Sequence, residues 1–224
     1  MKMSAAFSRI LKLAPLTAAA SLAAAPAFAH HPLGGAPMTT FTHGLASGVG
    51  HPILGFDHLF FVALVGVAAV FTGRQFTAPL AYIGAMMAGT LLMSFGLGLP
   101  LVEVAIAVSL LALGAVVLSG KKLSAPVAMV AFAAAGLFHG SAFGVSISGA
   151  EAAAPTVVLV GYLIGLAITQ YVISVAAGWA MKSLFKATEA GAMQPRLAGA
   201  VVAGVGLFLT LEHVEGAAFT AMGL

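Results

Sequence analysis

The stretch His51-Pro52-Ile53-Leu54-Gly55-Phe56-Asp57-His58 puts two imidazoles and a carboxylate into a chain that is otherwise strongly apolar. His51 and His58 are seven positions apart, so a continuous helix carries them on one face two turns apart, with Asp57 one step around. Pro52 suits a first helical turn, where its missing N–H costs nothing. Gly55 removes a side chain and lets a substrate or a second helix approach. Imidazole and carboxylate together are ligands for nickel, cobalt, copper or zinc. Histidine binds metal in its neutral form, so such a site weakens in acid. The same groups also serve as proton relays inside membranes. Taken singly they have plainer roles: Asp57 as a helix N-terminal carboxylate, His58 as a hydrogen-bonded tie between helices. Clustered, they point to metal or proton handling.

A second cluster reads Phe138-His139-Gly140-Ser141-Ala142-Phe143-Gly144, with Glu151 following. The glycines let backbone or ligand come close to the His139 imidazole. A third candidate is His30-His31-Pro32, where a free α-amine and adjacent imidazoles would chelate a divalent cation if His30 became the first residue. His43 precedes the first cluster and belongs to either group. Glu103, Glu212 and His213 complete the candidate ligands, with Glu215 beside the last two.

The elements that position these residues follow from composition. Of 224 residues, 61% are hydrophobic and 7% charged, and mean hydropathy is +1.11. A 22.3 kDa chain has too little interior to hide that much apolar surface. This excludes a soluble globular domain, a disordered chain and a nucleic-acid-binding protein. The absence of cysteine excludes a disulfide framework, a thiolate metal site and a cysteine nucleophile. Residues 1–29 carry the parts of a secretory signal: basic Lys2, Arg9 and Lys12, an apolar run from Leu13 to Ala25, and the small-x-small end Ala27-Phe28-Ala29. Those three cations account for the formal net charge of +3. The basic balance therefore says nothing about partners of the processed chain.

Six apolar segments follow, near 53–72, 79–99, 101–119, 125–144, 156–181 and 197–214, each close to the length that crosses a bilayer. The expectation is an all-α, polytopic membrane bundle: a cleaved signal at 1–29, a periplasmic segment at 30–52 and six transmembrane helices within 53–224. With His30 outside, Arg74, Lys121, Lys122, Lys182, Lys186 and Arg196 all fall in the inner connections, which is the positive-inside pattern. The ionisable candidates then gather toward the outer surface of a bacterial inner membrane. Gly136-Gly140-Gly144 and Gly161-Gly165 repeat at four-residue spacing, as closely packed membrane helices do.

Enzyme readings find little support, since the chain has neither H-E-x-x-H nor G-x-S-x-G. The two clusters instead resemble the signatures of the HupE/UreJ family of membrane permeases, HPxxGxDH in the first span and FHGxAxG later, in the same order and over the whole processed chain. The resemblance implies uptake of nickel or cobalt, with His51, Asp57, His58 and His139 handling the metal. Many members carry a further His or Glu just after FHG. Here those places hold Phe143, Val145 and Ser146, leaving Glu151, or Glu103 or Glu212, to complete a ligand set. The expected partners are thus the divalent ion as substrate and the lipid bilayer, with no prosthetic group and no nucleic acid. The rival reading is a proton-conducting or metal-sensing membrane subunit.

Overall fold

Proline and glycine punctuate the apolar runs and set the helix ends. The computed structural model describes residues 38–150 and 155–223. Its elements are α1 (Phe41–Leu54), α2 (Phe56–Val70), α3 (Ala78–Ser94), α4 (Val102–Leu118), α5 (Ala125–Ala150), α6 (Thr156–Ser183) and α7 (Met193–Ala221). Among the described residues there is no strand. Pro79 lies in the first turn of α3, and Pro155 caps α6; at both places a missing N–H is harmless. Gly73 and Gly120 turn the chain after α2 and α4 with φ of 78° and 73°, a conformation that favours glycine.

The first apolar run departs from expectation. It is not one helix over 53–72. Gly55 is extended (φ −82°, ψ 97°), and α1 and α2 meet there at 81°. Pro52 withholds one backbone donor and Gly55 has poor helix propensity, so two weak points fall within a single turn. His51 and His58 consequently lie on different helices, not on one face. Residues 41–52, read as part of an N-terminal segment, form a helix packed along α6. Helix α5 also runs on to Ala150 instead of stopping near 144, so His139 sits mid-helix.

Among the described residues, three helices are long and apolar enough to cross a membrane: α5 over Ala125–Ser148, α6 and α7. The bent α1–α2 pair adds a fourth as a broken span. Helices α3 and α4 are apolar and 17 residues each, or about 26 Å at the helical rise. The leader at 1–29 lies outside the described residues.

Glycine sets the packing. On α5, Gly136 and Gly140 lie so close to α3 that a Cβ would strike the carbonyl oxygens of Tyr82 and Met86. On α6, Gly161 and Gly165 meet α1 at Phe41 and Leu45 in the same way. Gly66 of α2 meets Ser174 further along α6, and Gly114 of α4 meets Ala203 of α7. From these registers α2 runs parallel to α6, α3 parallel to α5, and α4 antiparallel to α7. Helix α2 is central and buried almost throughout, including Phe61, Val62, Val65 and Ala69. The outward faces are apolar instead of charged, with Ile168 and Val172 on α6 and Phe208 and Leu211 on α7 exposed. Such a surface matches hydrocarbon, where all backbone groups are satisfied within helices.

Candidate metal centre

The break at Gly55 gathers the site. A Cβ on Gly55 would lie 3.0 Å from Cδ2 of His58 and 3.4 Å from both Oδ1 of Asp57 and the His51 carbonyl oxygen. The glycine therefore occupies the point where the motif's side chains converge. Asp57 and His58 stand in the first turn of α2, where free N–H groups favour negative charge. His51, one turn before the end of α1, lies across the bend with its ring centroid 6.4 Å from that of His58.

Helix α5 brings the second cluster against the first. Nδ1 of His139 is 2.8 Å from Nδ1 of His58, and both rings are buried, His139 completely. Phe61 stacks on His139 at 4.4 Å and Phe143 lies 4.3 Å from His58, closing the pair off with aromatic faces. On the other side of His139, Nε2 is 3.0 Å from Oγ of Ser109 on α4. Asp57 Oδ2 stands 3.8 Å from Nε2 of His58.

The network assigns the tautomers. Ser109 donates its hydroxyl hydrogen to the Ile106 carbonyl oxygen at 2.7 Å, so its oxygen accepts from Nε2–H of His139. The lone pair of neutral His139 is then on Nδ1, where it accepts Nδ1–H of His58. Neutral His58 then carries its lone pair on Nε2, the nitrogen that faces Asp57. At the other histidine, Tyr162 donates to the Phe143 carbonyl oxygen at 3.2 Å and lies 3.0 Å from His51 Nδ1. The tyrosine oxygen thereby holds the orientation of the His51 ring. Orientation of a ligand imidazole through its other nitrogen is the usual outer-shell device in metal sites.

Nitrogen and carboxylate ligands at about 2.1 Å from a first-row dication in a cis arrangement stand about 3 Å apart. Asp57 and His58 are wider than that by under an ångström, within side-chain adjustment. Among the described residues no three His, Asp or Glu side chains stand together as a ready ligand set. Water or side-chain rearrangement has to complete any coordination.

The other candidates lie elsewhere. His43 accepts from Thr39 N–H in the first turn of α1. Glu103 is exposed in the first turn of α4. Glu212 is exposed on α7, while His213 Nδ1 is 2.6 Å from the Leu209 carbonyl oxygen on its own helix. His30, His31 and Glu151 lie outside the described residues. Sequence reasoning named Phe143 only as a member of the second cluster and missed Ser109 and Tyr162, which have no local signal: they meet His139 and His51 from 30 and 111 positions away.

The profile of the HupE / UreJ protein family matches residues 18–209. The chain belongs to the HupE/UreJ family. It is 30% identical over 201 residues to Protein HupE of Rhizobium leguminosarum bv. viciae, covering 89% of this chain and 98% of that one. No solved structure matches. HupE/UreJ proteins are transporters rather than enzymes, which agrees with the apolar helices and gives a metal ion as the general class of substrate. In this HupE/UreJ chain both signature clusters lie in one buried contact, the first at a break between helices and the second in the middle of α5.

Proposed function

We propose that this chain is a secondary permease that takes nickel or cobalt ion across the inner membrane of a two-membrane bacterium. The observation that carries the reading is the buried His58–His139 contact beside Asp57, at the helix break on α2. Discontinuous helices whose ends face an ion site near mid-membrane are a recurrent transporter device. A hydrated dication entering from the outer side exchanges part of its water for Asp57 and His58 Nε2. His139 then gives up its hydrogen bond to His58, and His51 closes from α1. The His30-His31 end serves capture outside the membrane.

Six spans fit this reading, with the broken α1–α2 pair as the first and α3 and α4 as the short second and third. Alternating direction makes α2 parallel to α6, α3 parallel to α5, and α4 antiparallel to α7, as the glycine contacts have them. The connections after α2, α4 and α6 meet at one end, where Gly73, Gly120, Lys122, Lys182 and Glu189 line a cavity of about 520 Å³. That end carries the cations and is the inner one. The membrane potential then favours entry by about 2.3 kcal/mol per charge per 100 mV, twice that for a dication. Mixed nitrogen and oxygen ligands without thiolate keep binding weak enough for release.

The hydrogen-bonded run His58–His139–Ser109 favours a second reading, a proton-conducting or metal-sensing subunit. Accumulation of radioactive nickel and cobalt in cells lacking their own uptake systems separates the two. Uptake of one metal, lost in Asp57→Ala and His58→Ala at matched membrane expression, supports the permease. Equal accumulation with and without the protein, for both metals, rejects it.

A further inference from the structure

Helix α6 carries a feature that the histidine site does not use. Gln170 is fully buried near the middle of this apolar 28-residue helix. Its Oε1 accepts a hydrogen bond from the Tyr82 hydroxyl of α3 at 2.9 Å, while its Nε2 has no partner. One turn further, the Ser174 hydroxyl is also fully buried and unpartnered. Thr90, Ser148 and Thr210 satisfy their hydroxyls on the carbonyl four residues back, whereas Ser174, like Ser47 of α1 and Ser141 of α5, has no partner. Unpaired polar groups in a hydrocarbon setting are costly, and they are retained where they meet water or substrate.

Their placement continues a line from the metal centre. The Tyr82 ring is 5.8 Å from the His139 ring. Gln170 is two turns along α6 from Tyr162, which holds His51, or about 12 Å at the helical rise. Ser174 shares the Gln170 face and packs against Gly66 of α2. Beyond it, Gly178, Lys182 and Gln75 line, together with the apolar Val172, Val175 and Trp179, a cavity of about 440 Å³ at the basic end of the bundle.

We propose that Tyr82, Gln170 and Ser174 form a second, uncharged binding station that hydrogen-bonds the water shell of a partly hydrated divalent cation after it leaves the histidines. The inference rests on the permease reading and supplies the inner half of its path. The station offers amide and hydroxyl groups but no carboxylate or imidazole. It therefore holds the ion through its waters and holds it weakly, which favours onward release.

The test uses the purified full chain in proteoliposomes with an entrapped metal indicator, together with equilibrium binding of radioactive nickel and cobalt and a thermal unfolding scan. Gln170→Met keeps the volume and removes the amide; Tyr82→Phe removes only the hydroxyl and serves if the first variant does not fold. Each variant is expected to bind metal within about twofold of the parent and to transport about tenfold more slowly, the scale of one hydrogen bond withdrawn from a transit step. Unfolding temperature should fall modestly in each variant, because each leaves its partner's buried polar group without a hydrogen bond, so binding and transport are compared on protein shown to be folded at the assay temperature. Asp57→Ala should lose binding and transport together. Parental transport rates in both variants overturn the station, and so does a loss of binding that matches the loss of transport. If the intact protein moves neither metal, the permease reading fails first and the station falls with it.

Discussion

His139 is held from both sides, and the Ser109 side decides which of its nitrogens is left with a lone pair. Ser109 is the acceptor for Nε2–H, so its removal frees the ring to take the other tautomer and dissolves the donor order that leaves His58 Nε2 its lone pair. Ser109→Ala is therefore expected to weaken nickel or cobalt binding by about 10–100-fold, as loss of an outer-shell partner commonly does. Ser109→Thr, which keeps the hydroxyl, should retain most of it. Equilibrium binding of radioactive metal to the purified protein checks this, and equal affinity for parent and alanine variant would refute the tautomer assignment. Tyr162→Phe should weaken binding less. It withdraws the hydroxyl from His51 and from the Phe143 carbonyl oxygen and removes no hydrogen bond of the His58–His139 pair.

At the scale of elements, glycine decides how near the helices come and where one of them breaks. The extended backbone of Gly55 is open to any residue (φ −82°), so the constraint there is space. Alanine would bring a methyl to 3.0 Å from the His58 ring. Gly55→Ala is expected to fold but to lower uptake by about tenfold or more, since small misplacements of reacting groups are expensive. Gly140→Ala tests packing instead: its Cβ would fall 1.9 Å from the Met86 carbonyl oxygen, forcing α3 and α5 apart. A loss of about 1–3 kcal/mol is expected from such overpacking, read as a lower unfolding temperature in detergent. Gly84→Ala, with open space around its Cβ, is the matched control and should be neutral. The four-residue spacing of Gly136, Gly140 and Gly144 was legible in the sequence because one face of one helix carries it. The break at Gly55 was not, because Pro52 reads singly as a helix-start residue and Gly55 as a packing position, and the two become one bend only when α1 packs on α6. Imidazoles and acids stood out against an apolar background, so His51, Asp57, His58 and His139 were legible as a group. Their partners Ser109 and Tyr162 were not, since ordinary hydroxyls become special only once folding brings them into contact. Gln170 carried a signal, a lone amide in an apolar run, that weighing charged residues alone passes over.

For the whole molecule, the direction of transport depends on which end of the bundle faces out. The cations gather at the end where the connections after α2, α4 and α6 meet, and Arg196 reinforces it by donating from Nε to the Leu118 carbonyl oxygen at 2.9 Å. The α3–α4 connection lies at the opposite end, with Leu97 exposed. The chain contains no cysteine, so a single introduced thiol reports its own position without interference. Ser124→Cys, exposed in the connection before α5, and Leu97→Cys are suitable sites because neither side chain is part of the metal centre. A membrane-impermeant maleimide should label Leu97→Cys in spheroplasts and Ser124→Cys only in inverted vesicles. The opposite pattern would turn the basic end outward, against the charge rule, and a dication driven inward by the potential would then meet the cation-rich end first and the histidines last. Labelling of both thiols from one side would break the alternation of α3, α4 and α5 on which the six-span arrangement depends. Labelling as expected would leave the histidines on the outer approach and the uncharged Tyr82–Gln170 pair between them and the cytoplasm, an order in which the ion meets its tightest ligands first and its weakest last.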